Sequence, residues 1–229
     1  SCRVCLRMQG GELHYDYKPG ASASVKFSTS DGITLGMMTH GSYMLSDHDL
    51  PFSGPFGLTT FVLDFLLSPA ELQVTDPLGL RSGNFGGQIL SEIPDSHPCY
   101  LVPKALMLPT QTALTRRIVG TGAGTYTYNS IAPDGASVVL QGVQTQAGEI
   151  DTLAMSADGT QIRFTPAADK GFELTLARQV GGQARAFAIR GIGGGPTAEV
   201  DITLSPELSL LRVGNRGGAR NVEVRALAI

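Results

Sequence analysis

Apolar and polar positions alternate with a period of two through most of this chain. In Phe172-Glu173-Leu174-Thr175-Leu176-Ala177-Arg178 the apolar residues fall on every second position almost throughout. That is the pattern of a strand with one buried face, because successive side chains of an extended backbone point to opposite sides. The same alternation, rich in β-branched and aromatic residues, predicts strands over 12–17, 22–28, 33–38, 58–66, 70–75, 113–119 and 125–129. It continues over 151–156, 161–165, 172–178, 184–190, 198–204, 208–213 and 222–227. No helix longer than two turns is needed anywhere. Turn chemistry separates the runs at Asp31-Gly32, Pro51-Phe52-Ser53-Gly54-Pro55 and Ser82-Gly83-Asn84, where glycine and proline impose dihedral choices that end regular structure. The proline-rich stretch 89–109 reads as a long crossover of the kind Greek-key sandwiches require.

The fold class predicted is all-β: two tandem β-sandwich domains, immunoglobulin-like or Greek-key, preceded by a short N-terminal arm. At 229 residues the chain exceeds one sandwich of roughly 100 residues and is filled by two. The expected division is an arm over 1–10, a first sandwich over 11–132 and a second, immunoglobulin-like sandwich over 136–229. Ala132-Pro133-Asp134-Gly135-Ala136 is the expected joint, and Gly10-Gly11 the hinge of the arm. The arm either docks on its own domain or adds to a neighbour's exposed sheet edge, with Val4, Leu6 and Met8 as the inserted side chains.

Composition narrows the partners. Hydrophobic residues make up 42% of the chain and charged residues only 16%, against roughly 25% charged in typical soluble domains. So sparse a surface charge points to a surface partly covered by partners, either copies of the chain or other surface proteins. A net charge of −3 without a Lys/Arg cluster argues against a nucleic-acid groove, which needs a basic stripe. Arg116-Arg117 reads as solvated charge or ion pairs. The longest apolar patch, 61–67, is short and interrupted by Asp64, so no membrane-spanning helix is expected. Ser1-Cys2 is compatible with the remnant of a removed signal peptide.

Three cysteines, Cys2, Cys5 and Cys99, are an odd number for an exported protein. Pairing Cys99 with Cys2 or Cys5 tethers the arm and leaves one thiol. The alternative is a zinc site, with the two-residue spacing of Cys2 and Cys5 completed by His97 and Cys99. A c-type haem is excluded, since Leu6 follows Cys5. Otherwise no cofactor is expected. Gly120-Thr121-Gly122-Ala123-Gly124 runs into Thr125-Tyr126-Thr127-Tyr128, a strand and not the helix a phosphate loop needs. A bulge or tight corner fits better, with Tyr126 and Tyr128 on one face of the strand that follows. No Gly-x-Ser-x-Gly elbow is present. Asp47-His48-Asp49, with Asp64, Asp76 and Asp95, offers a weak calcium or acid–base candidate, Asp47, Asp49 and Asp76 foremost for calcium; solvated loop charge is the blander reading.

Three phrases stand in fixed order between strand-like runs: Ser68-Pro69-Ala70-Glu71-Leu72-Gln73-Val74-Thr75-Asp76-Pro77-Leu78-Gly79, then Glu92-Ile93-Pro94, then Gly120-Thr121-Gly122-Ala123-Gly124-Thr125-Tyr126. Their order resembles a β-sandwich module of large secreted bacterial proteins, found beside hydrolase, peptidase or adhesive domains. The resemblance implies an extracellular or cell-surface location and a spacer or adhesive role without catalysis. The expected function is an exported, non-enzymatic structural or adhesive protein acting by protein–protein contact, as a subunit of an extracellular filament or surface assembly. The alternative is an accessory or carbohydrate-binding module of a larger secreted hydrolase, with Tyr43, Phe52, Phe56 and Tyr100 as its aromatic platform. A small metalloenzyme using Asp47, His48 and Asp49 is a further rival.

Overall fold

The structure is a computed structural model and describes residues 6–9, 12–15, 22–27, 33–37, 61–67, 69–99, 105–206, 210–215 and 220–228. These residues contain β1 (Leu6–Gln9), β2 (Glu12–Tyr15), β3 (Ser22–Phe27), β4 (Ile33–Met37), β5 (Phe61–Leu67), β6 (Ala70–Thr75) and β7 (Arg81–Phe85). There follow β8 (Gln88–Ser91), β9 (His97–Cys99), β10 (Ala105–Pro109), β11 (Leu114–Gly120), β12 (Gly124–Ile131), β13 (Ser137–Thr145) and β14 (Ile150–Met155). The last are β15 (Gln161–Thr165), β16 (Lys170–Val180), β17 (Gln183–Gly194), β18 (Val200–Leu204), β19 (Leu211–Asn215) and β20 (Arg220–Ala228). The all-β expectation holds.

Two large antiparallel sheets form the body. One has the order β4-β3-β20-β17-β16-β13-β12-β5-β10-β9 and the other β19-β18-β15-β14-β11-β6-β7-β8. From β11 onward the chain lays hairpins alternately in the two sheets: β12–β13 in the first, β14–β15 in the second, β16–β17 in the first, β18–β19 in the second. Each new hairpin lands beside the previous one in its sheet, so the stack grows sideways. One core fills the space between the layers, with Leu66, Tyr128, Leu140, Leu174 and Ile189 from the first sheet against Leu72, Ile118, Leu153 and Ile202 from the second. Phe164 and Phe172 meet across the layers edge to face, centroids 4.9 Å apart. Each such buried side chain contributes roughly 1.5–3 kcal/mol relative to exposure.

The segment expected as a domain joint is a hairpin turn. Ala132 N–H donates to the Ala136 carbonyl at 2.8 Å and Gly135 N–H to the Ala132 carbonyl at 3.0 Å, and the strands it joins, β12 and β13, pair directly. Across the same boundary β11 pairs with β14 in the other sheet. Both sheets and the core therefore run through 132–136 without a boundary at the expected joint, while β1 and β2 form a separate two-stranded sheet. Pro-Asp-Gly is good turn chemistry in either setting, which is why sequence alone does not separate hairpin from linker.

The expected crossover over 89–109 also carries structure. β8 pairs with β7 around Gly86-Gly87, both at positive φ (63° and 88°), the geometry of a two-residue hairpin loop that glycine alone adopts freely. β9 and β10 then extend the first sheet beside β5. The third glycine phrase is a corner: Gly120 ends β11 in one sheet and Gly124 opens β12 in the other. A Cβ on Gly120 would lie 2.0 Å from the Gln146 carbonyl oxygen, so only glycine fits there. Of the arm, β1 is described, and it pairs with β2 of the same chain, with Leu6 opposite Tyr15 and Met8 opposite Leu13.

Candidate functional site

Four charged side chains stand where the strand alternation puts core residues. In β5, Asp64 shares the inward phase with Leu66; in β11, Arg116 stands between Leu114 and Ile118. In β14, Asp151 precedes Leu153 and Met155 in phase, and in β16, Lys170 precedes Phe172 and Leu174. All four are buried, with exposures of 0% for Asp64, 2% for Arg116, 1% for Asp151 and 5% for Lys170. Isolated, each would be heavily penalised by loss of hydration. They are arranged as two ion pairs, each bridging the two sheets.

In the first, Arg116 Nε donates to Asp64 Oδ2 at 2.7 Å and Nη1 to the Leu114 carbonyl at 3.0 Å. Burial works against the Arg116 charge, but the Asp64 carboxylate outweighs it and raises its pKa. The hydroxyl of Tyr128 stands beside this pair and, with Asp64 Oδ1, makes no hydrogen bond of good geometry to a protein group. Burial above all raises the Tyr128 pKa, so the phenol is neutral.

The second pair is more fully satisfied. Lys170 Nζ donates to Asp151 Oδ1 at 2.8 Å and Oδ2 at 2.9 Å, and lies 2.9 Å from Glu149 Oε2. Asp151 Oδ2 also accepts from the Tyr126 hydroxyl at 2.7 Å, and Oδ1 from the Ala167 N–H at 2.7 Å. The Tyr126 pKa is raised, first by burial and then by the Asp151 and Glu149 carboxylates. Its hydrogen bond to Lys170 holds the Glu149 pKa low against the opposing effect of burial. Tyr126 and Tyr128, two residues apart on β12, thus each serve one cluster.

A cleft of about 400 Å³ opens at the end of the stack where the 132–136 and 156–159 turns meet. Leu114, Val138, Met155 and Leu176 supply apolar wall, Arg116 reaches it from the core, and Gln111, Asp134, Asp158 and Arg178 supply polar lining. The Asp158 turn is tightly bonded: Ser156 Oγ donates to its carboxylate at 2.6 Å, and Thr160 donates through N–H at 3.0 Å and Oγ1 at 2.8 Å. The Ser156 bond above all, with the Thr160 donors, depresses the Asp158 pKa from 3.8 to about 2.

The residues singled out from sequence fall differently. Cys2, Val4, Cys5, Tyr43, Asp47, His48, Asp49, Phe52, Phe56 and Tyr100 lie outside the described residues, and Cys99 is described by its backbone in β9 alone. His97 is exposed, with its ring edge-on to Phe61 at 5.8 Å. Asp76 is committed to its turn, where Oδ1 accepts from the N–H of Leu78 at 2.9 Å and of Leu80 at 2.8 Å. Among the described residues no group of three or more His, Cys, Asp or Glu side chains is placed to hold a metal ion, and no helix is long and apolar enough to cross a membrane. Of the acidic candidates among the described residues, Asp64 is placed in a buried ion pair. Lys170, Asp151 and Glu149 were not singled out; the signal that finds two of them is a charge at an inward position of an alternating strand.

The three ordered phrases all serve local architecture. Asp76 fixes the β6–β7 turn, Glu92 clasps Arg81 through Nη2 at 2.7 Å and Nε at 3.0 Å while Ile93 enters the core, and Gly120 makes the corner into β12. No protein family, curated protein or solved structure matches the chain.

Proposed function

We propose that this chain is an exported, non-enzymatic structural or adhesive element that acts by protein–protein contact within a surface assembly. One observation carries the reading: two broad sheets run without a break through the described body and are tied to each other by buried ion pairs. At about 4.8 Å per strand, a sheet of this width spans on the order of 45 Å. A stack built this way resists shear between its layers, because sliding one sheet would strand Asp64 and Asp151 without their cations. Stiffness of that kind suits a spacer or subunit. Assembly by N-terminal strand addition remains part of the proposal, and it requires β1 to exchange β2 for a neighbour's edge.

The test is the native mass and shape of the full chain by light scattering and negative-stain microscopy, with and without reductant. Rods or defined oligomers support the reading; a compact monomer in both conditions counts against it. Removal of residues 1–9 is expected to abolish assembly and leave the body folded. The same particles from the shortened chain would exclude the arm as the joint.

A second reading, a ligand-binding accessory module of a secreted hydrolase, is favoured by the end cleft. Its apolar wall and mixed polar lining fit a small neutral or amphipathic ligand. A glycan and small-molecule binding screen tests it, with Arg178→Ala expected to weaken any hit that occupies the cleft.

A further inference from the structure

The Lys170 cluster holds more than an ion pair requires. Its Nζ faces both oxygens of a single carboxyl group, and each of those oxygens already has a second donor, the Tyr126 hydroxyl on Oδ2 and the Ala167 N–H on Oδ1. A further carboxylate, Glu149, touches the same Nζ from a more exposed position at 2.9 Å. The residues come from both layers: Asp151 from β14 of one sheet, Tyr126 and Lys170 from β12 and β16 of the other. We propose that Lys170 and Asp151 condense to an amide within the folded chain, forming a covalent bond between the two sheets.

The step is a dehydration and needs no oxidant or cofactor. Glu149 accepts one proton from Nζ, which leaves a neutral amine facing Cγ of Asp151. Tyr126 donates its proton to Oδ2 as the bond between Nζ and Cγ forms, so the adduct keeps its negative charge on Oδ1, where the Ala167 N–H stabilises it. The Cγ–Oδ2 bond then breaks, and that oxygen leaves as water, carrying the Tyr126 proton and a second proton from Nζ. The third Nζ proton stays on the amide, and the proton held by Glu149 restores Tyr126. Ammonium and carboxylate become amide and water, with the other groups returned unchanged.

Two features favour this here and oppose it in water. The reacting atoms are held together by the fold, so the entropy of bringing them together is spent in folding. Burial penalises both charges of the pair, and condensation removes both. The raised pKa of Tyr126 leaves its proton in place in the resting cluster and the lowered pKa of Glu149 leaves it ionised, so both protons move only as the bond forms. The inference stands apart from the proposed function: a cross-linked sandwich can serve a spacer or a binding module equally.

Intact mass spectrometry of the purified full-length chain, denatured after circular dichroism has shown the folded β signal, decides it. The expected mass is lower than that of the sequence by one water, and a protease digest yields a branched peptide joining the segments around 151 and 170. Lys170→Met is expected to restore the full mass, and Glu149→Gln to slow conversion while the fold is retained. A folded wild-type chain at full sequence mass, with separate linear peptides for the two segments, would overturn the proposal and leave an ordinary buried ion pair. A mass deficit whose branched peptide maps elsewhere would overturn it equally.

Discussion

Asp64 and Arg116 show how far a single residue can be read from sequence. Each interrupts an apolar alternation at a position whose neighbours two residues away are buried, Leu66 for Asp64, Leu114 and Ile118 for Arg116. Removing one partner leaves an uncompensated buried charge, so Arg116→Met is expected to cost about 3–5 kcal/mol in denaturant unfolding. The double substitution Arg116→Met with Asp64→Leu is expected to recover most of that loss, since apolar pairs replace buried ion pairs at little cost. Recovery of nothing would show that Arg116 matters through Leu114 and Tyr128 and not through Asp64. A second expectation concerns pH. The carboxyl of Asp158 titrates at about 2 in the folded chain against 3.8 ordinarily. A depressed folded pKa stabilises above the unfolded value and fades as pH falls through the folded one. The gap in melting temperature between the wild type and Asp158→Asn is therefore expected to be full near neutrality and to close as pH approaches 2. A gap that widens on acidification would contradict the hydrogen bonding drawn for this turn.

Elements were legible where alternation was long and hidden where it was short. β6 and β15 have the bounds the pattern predicts, and β16 and β17 extend theirs at both ends. β7 and β8 escaped because Arg-Ser-Gly-Asn-Phe and Gln-Ile-Leu-Ser lack an alternating apolar face and are held by pairing and by the buried Ser82–Ser96 bond of 2.6 Å. β13 escaped because Val138-Val139-Leu140 is a continuous apolar run that periodicity cannot assign, and a bulge opposite Tyr126 and Tyr128 breaks its register. The glycine corner tests the element scale directly. Gly120→Ala pushes a Cβ into backbone that cannot yield and is expected to destabilise by roughly 1–3 kcal/mol. Its neighbour Gly122 has nothing nearer than Pro69 Cβ at 4.0 Å, so Gly122→Ala is expected to be close to neutral. Equal costs at both positions would mean that glycine content, and not the close approach at Gly120, makes the corner.

At the scale of the whole molecule, the continuity of both sheets through 132–136 predicts one unfolding transition. Far-ultraviolet circular dichroism and tyrosine fluorescence are expected to give coincident denaturation curves, since Tyr126 and Tyr128 sit in the shared core. Two separated transitions would restore a division into independent halves. The sequence by itself determined the all-β class and the phase of the long alternating strands, because these depend on spacing along the chain; of the turn sites expected from glycine and proline, Ser82-Gly83-Asn84 lies inside β7, and 31–32 and 51–55 lie outside the described residues. Tertiary structure alone decided that the hairpins share two sheets, that Arg116 meets Asp64 and Lys170 meets Asp151, and that Tyr126 and Tyr128 attend one pair each. Those choices depend on which strands become neighbours across two layers, and a period of two carries no information about the partner a strand will face.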